Sequence, residues 1–215
     1  MRLVLFGPPG AGKGTQARRL TERFTLRQIS TGDLFRTALR EETPVGLEAK
    51  RYLDAGKLVP DAVVNRMVEG ALDALGHDGF ILDGFPRTVE QAEWLLRFLD
   101  AHDAPLDAVL SLKVDPERIV QRLSRRRTDR ETGEIYHLDF NPPPPHIPAD
   151  RLLHRSDDQP DAIRTRLGVY EDETRPVEQV FRGRVPFFEI DGIGEIDEVQ
   201  QRVEHALGEA EVRGV

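Results

Sequence analysis

Short apolar runs alternate with stretches of helical period along this chain. The runs Leu3–Phe6, Gln28–Ile29, Phe80–Asp83, Ala108–Val114 and Pro186–Ile190 predict strands. Lys13–Phe24 repeats Ala17, Leu20 and Phe24 at helical spacing. Ser30–Asp33 reads as a turn that caps a helix over Leu34–Arg40, and Gly46–Ala55 predicts another helix closed by a C-cap at Gly56. Asp61 is the expected cap of a long helix whose buried stripe is Val63, Val64, Met67, Val68, Ala71, Leu72 and Leu75. Thr88 and Gln91 open the helix bearing Trp94, Leu95 and Leu99 at capping-box spacing, which on residues alone is the favoured role of Gln91. Asp115-Pro116 starts a helix with Ile119, Val120 and Leu123 inward. Gln159–Val180 places Ile163, Leu167 and Tyr170 in register and is bent or divided at Pro176. Glu195–Glu209 closes the series with Ile196, Val199, Val203 and Leu207 as its stripe. Strands alternating with helices predict an α/β fold on a mostly parallel sheet, with ligands at the strands' C-terminal ends. No internal repeat interrupts the order.

The pattern fails in one region. From Ser124 the apolar period collapses, and Arg125–Asp158 is polar and rich in arginine and proline, including Pro142–Pro145. Tyr136, Leu138 and Phe140 alternate there like a small strand. This segment is expected to be an insertion projecting from the core.

Composition narrows the picture. A chain of 215 residues suits one domain with insertions. Hydrophobic content of 39% and charged content of 32% suit a globular protein with a sizeable core. No apolar stretch approaches the roughly 20 residues of a membrane span. Arg2-Leu3 runs straight into the first strand, so no signal or transit peptide is expected. Cysteine is absent, which excludes disulfides and thiolate metal sites and fits a reducing cytoplasm. A net charge of −8 argues against general nucleic-acid binding.

Candidate chemistry begins at Gly7–Thr15, read GPPGAGKGT, between the first strand and the first helix. A glycine loop in that position aims backbone N–H groups at one point on the positive end of a helix dipole, where a phosphate chain fits. Lys13 adds a point charge for the outer phosphates. In the general pattern the hydroxyl follows the lysine directly; here Gly14 intervenes before Thr15. A glycine turn with no ligand is the competing reading, and lysine, strand and helix all oppose it. Arg36 and Arg87 follow the second and third strands, and Arg122, Arg126, Arg155 and Arg166 come from the insertion or its flanks. Guanidinium forks grip phosphate bidentately and keep their charge. Phosphoryl transfer needs in-line positioning and charge neutralisation but little proton chemistry. The arginines therefore favour transfer to a second anion over hydrolysis. Any single arginine could equally be a solvated surface charge, as expected for Arg18, Arg19, Arg51 and Arg97.

The motifs GPPGAGKGTQA (Gly7–Ala17), QISTGDLFR (Gln28–Arg36), DAGKLVPD (Asp54–Asp61), FILDGFPRTVEQA (Phe80–Ala92), YHLDFNPP (Tyr136–Pro143) and RSDDQPDAIRTRL (Arg155–Leu167) resemble the adenylate kinases of the bacterial long-lid type over nearly the whole chain. The resemblance implies a P-loop nucleoside monophosphate kinase fold with a central five-stranded parallel sheet. Residues 1–29, 60–124 and 159–215 would form the core, 30–59 a mobile AMP lobe and 125–158 a lid. Gly10, Ala11, Gly12, Lys13, Gly14 and Thr15 would cradle the ATP phosphates. Arg122, Ile135 and Tyr136 would line the ATP base side, and Gly194 would offer it a backbone carbonyl. AMP would be held by Thr31, Arg36, the backbone of Lys57, Leu58 and Val59, by Gly84, Phe85, Pro86 and Arg87, and by Gln91 at the adenine edge. Lys13, Arg87, Arg126, Arg155 and Arg166 would be the catalytic cations. Asp83 and Asp33 would orient Mg²⁺ through water, with no direct protein ligand, and Asp157 and Asp158 would orient the lid arginines. Lid closure would expel water. The Gly14 departure is normal for monophosphate kinases.

The resemblance also sets the alternatives. A UMP or CMP kinase, a GTP-using AMP kinase, and a non-catalytic nucleotide-binding regulator remain as rivals; Thr31 with Gln91 favours AMP, and the full arginine set favours catalysis. Many such lids hold zinc through four ligands. The lack of cysteine argues against structural zinc here, so hydrogen bonds and packing near Asp129 and Thr132 are expected to hold the lid. Pro142–Arg155 is shorter than expected for the type, and His146 and His154 are expected at the surface. ATP, AMP and ADP are the implied substrates, with no nucleic-acid or membrane partner, and the expected state is a cytoplasmic monomer.

Overall fold

The computed structural model describes residues 1–55 and 57–212. The expected C-cap at Gly56 lies outside them. Five parallel strands form the central sheet: β1 (Arg2–Phe6), β2 (Arg27–Ser30), β3 (Phe80–Asp83), β4 (Ala108–Lys113) and β8 (Phe187–Asp191). Their order is β2-β3-β1-β4-β8, so β1 is central. Leu3 pairs with Ile81 on one side and Ala108 on the other. Chain direction switches sides at β1, which opens a crevice at its C-terminal end.

Alternation along β1 divides the core. Val4 and Phe6 enter one cluster with Leu82, Val68, Leu95 and Val177. Leu3 and Leu5 enter another with Ala17, Leu20, Leu110 and Val203. Both faces are apolar because helices cover both. One face carries α1 (Lys13–Phe24) and α9 (Ile196–Val212); the other carries α4 (Asp61–Asp73), α5 (Val89–Ala101) and α8 (Val177–Phe181). Burying each Leu or Val side chain contributes about 1.5–3 kcal/mol.

Two features project from the sheet's C-terminal edge. Helices α2 (Thr31–Arg40) and α3 (Pro44–Asp54) pack as a pair after β2. After α6 (Pro116–Arg125), the strands β5 (Arg126–Asp129), β6 (Ile135–His137) and β7 (Leu152–Leu153) form an antiparallel sheet in the order β6-β5-β7. Ile119, Leu123 and Ile163 pack at its base, joining α6 to α7 (Pro160–Val169).

Several local expectations are corrected. Ser30 is the N-cap of α2, its hydroxyl accepting from the Asp33 N–H, so Thr31–Asp33 form the first helical turn. α3 begins at Pro44 because the Thr43 hydroxyl accepts from Gly46 N–H. Pro60, not Asp61, is the cap position of α4; Asp61 is its first residue and turns its carboxylate to α5. Leu138–Phe140 leave the strand after His137 and turn to a bridge between His137 and Asn141, which leaves Phe140 exposed. Pro176 divides the helical stretch as expected, with a π-helical turn over Tyr170–Thr174 before α8.

Candidate active site

The loop after β1 is shaped by glycine. Gly7 has φ +134, and a Cβ there would lie 2.5 Å from the Leu112 carbonyl oxygen. A Cβ on Gly10 would come 2.8 Å from Leu123 Cγ, so only glycine lets the loop rest on α6. The loop curls so that Lys13 Nζ donates to the carbonyls of Gly7 and Pro8 at 2.7 and 2.8 Å. Lys13 also opens α1, where unpaired N–H groups face the crevice. Burial pushes its ammonium down to about 7, opposed by Asp83 and assisted by Arg87, Arg166 and Arg126.

Asp83 ends β3 beside this loop. Its Oδ2 accepts from Gln28 Nε2 at 3.0 Å and lies 3.5 Å from where a Gly14 Cβ would stand. Burial raises its pKa, with Lys13 opposing. Asp33 accepts from Arg36 at 2.5 Å. Burial opposes ionisation of Asp33, but Arg36 outweighs it and the pKa falls.

The turn after β3 builds a second locus. Gly84 O accepts from the Thr31 hydroxyl at 2.8 Å and from Arg87 Nε at 2.7 Å. Thr88 caps α5 by accepting from the Gln91 N–H. The Gln91 side chain does not complete the capping box by returning to Thr88. Its oxygen accepts from the Arg87 N–H, and its nitrogen donates to Asp61, each at 2.7 Å.

The small sheet and α7 supply a third group. Arg126 donates twice to Asp158, at 2.8 and 2.6 Å, and Asp158 is fully buried. Arg166 pairs with Asp157 at 3.0 Å. Arg155 Nε donates to the Thr128 hydroxyl at 2.8 Å. Burial first, then Arg166 and Arg126 respectively, lower the pKa values of Arg87 and Arg155 to about 10, so both remain cationic near neutral pH. Burial opposes ionisation of Asp157, but the facing arginines, Arg166 foremost, hold its pKa down.

These groups converge on one cavity of about 690 Å³. It is lined by Gly10–Thr15, Asp33, Arg36, Lys57, Leu58, Asp83–Arg87, Arg122, Arg126, Ile135, Tyr136, Arg155, Arg166 and Gly194. Thr31, Val59 and Gln91 line a second cavity of about 40 Å³, which shares Lys57, Leu58, Gly84 and Arg87 with the first. Every residue expected to contact the nucleotides or Mg²⁺ thus lines one of two adjoining spaces, whereas Asp158 lies behind Arg126 and lines neither. Cations outnumber carboxylates there, which suits a polyanion.

The cavity also contains residues that sequence reasoning did not single out. Arg118 and Gln121 line it from α6, and Gln28 holds Asp83. Arg122 donates to Gly192 O at 2.9 Å, tying α6 to the loop before α9. Arg202 donates to Asp191 O and Ile193 O from α9, supporting the same loop. The helical spacing of Arg118 with Arg122 was a readable signal for Arg118. The others depend on contacts distant in the chain.

A salt bridge clamps the small antiparallel sheet. Arg151 donates to both Asp129 oxygens, at 3.2 and 2.5 Å, and the Glu131 N–H donates to Asp129 at 2.9 Å. These bonds, Arg151 first, pull the Asp129 pKa down to about 2. The Thr132 hydroxyl accepts from the Glu134 N–H at the adjoining turn.

The family model described as adenylate kinase matches residues 5–185. An adenylate kinase from Salinibacter ruber is 54% identical over 207 residues, covering 96% of this chain and 98% of its own. One from Geotalea uraniireducens is 47% identical, covering 94% and 96%. One from Chloroherpeton thalassium is 44% identical, covering 98% and 99%.

Proposed function

The chain belongs to the adenylate kinase family, and on that premise we propose how its residues carry a phosphoryl group from ATP to AMP, giving two ADP. The observation that carries the assignment of roles is the convergence of Lys13, Arg87, Arg126, Arg155 and Arg166 on one cavity between the glycine loop and the Asp83–Arg87 turn. The loop Gly10–Thr15 holds the ATP phosphates through backbone N–H groups. Arg36 and Arg87 grip the AMP phosphate. Lys13, Arg126, Arg155 and Arg166 surround the group in flight, where charge spreads over its equatorial oxygens. The bond from the γ-phosphorus to the ADP oxygen breaks as one to an AMP phosphate oxygen forms, and no protein group needs to exchange a proton.

Mg²⁺ would be held here together with ATP. The hard oxygen donors beside the loop, Asp83 with Asp33 and the Thr15 hydroxyl, fit the ion and its water shell. The ion supplies charge neutralisation on the transferring phosphates.

The base sites are Arg122, Ile135, Tyr136 and the Gly194 carbonyl for ATP, and Thr31, Lys57–Val59 and Gln91 for AMP. Residues 30–59 act as the AMP lobe and 125–158 as the lid, moving against the remaining core. Closure excludes water, which otherwise competes as acceptor. The proposed setting is the cytoplasm and the proposed state a monomer. No helix among the described residues is long and apolar enough to cross a membrane.

The test is a base panel. With MgATP, AMP is expected to be phosphorylated far faster than UMP, CMP or GMP, and ATP to outperform GTP as donor. Comparable turnover across acceptors would overturn the assignment of Thr31 and Gln91.

A further inference from the structure

Two helices end side by side at the edge of the sheet opposite the nucleotide cavity. α4 closes with His77 N–H donating to Leu72 O and Gly76 N–H to Asp73 O; α5 closes with Ala104 N–H to Leu99 O and Asp103 N–H to Asp100 O. Both are Schellman ends, with Gly76 and Asp103 at positive φ. α4 leads into the start of β3 and α5 towards β4, so both ends lie away from the loop that follows β1. Each places the negative pole of a helix dipole at this edge.

Asp73, His77 and His102 meet there. One potential ligand atom from each lies within 4.8 Å of the others. His77 Nε2 is 2.8 Å from Asp73 Oδ1, and the two imidazole rings lie 4.0 Å apart. His77 has φ +62, which turns its side chain back over α5. Phe98 packs against both rings, at 5.5 Å from His77 and 4.5 Å from His102. His102 Nδ1 lies 2.7 Å from Phe98 O. A carbonyl only accepts, so Nδ1 carries the proton and Nε2 presents its lone pair. Such a backbone bond at the non-ligating nitrogen is the usual orienting device for a metal-bound histidine.

We propose that Asp73, His77 and His102 form a binding site for a borderline divalent ion of the Zn²⁺ type, joining the ends of α4 and α5. Two imidazoles and one carboxylate suit Zn²⁺, Co²⁺ or Ni²⁺ and disfavour Mg²⁺, which prefers an all-oxygen shell. Bond lengths of about 2.0–2.1 Å place tetrahedral ligand atoms about 3.3 Å apart. The Asp73–His77 pair, hydrogen-bonded at 2.8 Å, opens by about 0.5 Å to reach such an edge, and exposed His102 closes the third corner by a small swing. The ion takes the place of the hydrogen between His77 Nε2 and Asp73, and the His77 proton moves to Nδ1. None of the three residues lines the nucleotide cavities, so the site is independent of catalysis.

Tag-free protein titrated with Zn²⁺ alone, in excess Mg²⁺, is expected to take up one ion per chain by calorimetry. Co²⁺ should develop d–d absorption at the same stoichiometry. His77→Asn and His102→Asn should each weaken uptake at least about tenfold, while His205→Asn leaves it unchanged. Circular dichroism and phosphoryl transfer, which none of these changes should alter, confirm folding. Asp73→Asn, at an exposed position, carries the same test if an imidazole variant misfolds. Absence of uptake from micromolar Zn²⁺, or uptake that survives deletion of either imidazole, overturns the proposal.

Discussion

The Gln91 side-chain nitrogen donates to Asp61 Oδ1 at 2.7 Å, and that bond fixes which end of the amide faces the acceptor cavity. A carboxylate only accepts and the Arg87 N–H only donates, so the amide cannot be reversed without losing both bonds. One amide N–H and one oxygen lone pair remain for a base. Adenine offers a ring acceptor beside an amino donor, which matches. A uracil or guanine edge offers these in the opposite order. Asp61→Ala is therefore expected to raise KM for AMP and to narrow the preference over UMP, with kcat at saturation changed less. A hydrogen bond to a charged group contributes about 1.5–3 kcal/mol, so kcat/KM for AMP should fall roughly tenfold to a hundredfold. Steady-state kinetics with both acceptors check this; an unchanged KM for AMP would refute it.

If Lys13 meets the ATP phosphates as proposed, ATP binding should be proton-linked. Its ammonium is held down to about 7 in the free protein, chiefly by burial. ATP phosphates favour the charged form, so binding near pH 8 should take up protons. Calorimetry in buffers of different ionisation enthalpy measures the uptake, which Lys13→Met should abolish. For stability the sign follows from the depressed folded pKa. Below about 7 the folded chain bears the penalty of a buried charge; from there up to the ordinary 10.5, the unfolded chain binds more protons and the penalty is relieved. Tm of the wild type relative to Lys13→Met should thus rise across that interval. Loss of the charge should also slow transfer by roughly a hundredfold or more.

Much of this arrangement is legible locally. The β1 run, the glycine loop and the start of α1 form one continuous pattern, and the Asp83–Arg87 turn follows its strand directly. The strands of the small sheet are less legible because their polarity is inverted: in β5 the arginines are half-buried and Thr128 and Asp129 are buried. That strand is held by pairing with β6 and β7 and by Arg151, not by an apolar stripe. Asp61 reads as a helix cap because aspartate before an apolar period usually is one. Its partners, Thr88 and Gln91, lie 27 and 30 residues further on. Thr31–Asp33 read as a turn because glycine sits among them, yet Ser30 caps the helix early. Local chemistry thus identifies donors and acceptors, while the choice between partners is made by packing.

Gly46 sets the spacing of α2 against α3. A Cβ there would overlap the backbone of Ala38 and Leu39. Gly46→Ala should part the two helices at a cost of about 1–3 kcal/mol. Arg36 moves with α2, so KM for AMP should rise while KM for ATP holds. Thermal unfolding and two-substrate kinetics read the two effects separately.

The Asp129–Arg151 pair should behave as the lid's clamp. Asp129→Ala leaves Arg151 and the Glu131 N–H without their shared acceptor. Faster hydrogen exchange in β5–β7 and a higher KM for ATP are expected, with KM for AMP unaffected. Because the folded pKa is depressed to about 2, the clamp's contribution is full above the ordinary 3.8 and fades as pH falls towards 2. Lid exchange rates measured across that range should converge with those of the variant.

Asp158 separates positioning from binding. It is buried, takes two bonds from Arg126 and stands 3.9 Å from Arg166, yet does not line the cavity itself. Asp158→Asn keeps the shape but replaces one acceptor with a donor facing a guanidinium. Arg126 then loses a charge-assisted bond of about 1.5–3 kcal/mol and with it a fixed position over the transferring group. The expected result is a fall in kcat of roughly tenfold to a hundredfold, with KM for AMP nearly constant because Arg36, Arg87 and Gln91 are untouched. Asp158→Glu should recover part of the rate if its longer carboxylate reaches Arg126. A loss confined to KM, with kcat intact, would show that Asp158 serves ground-state binding instead.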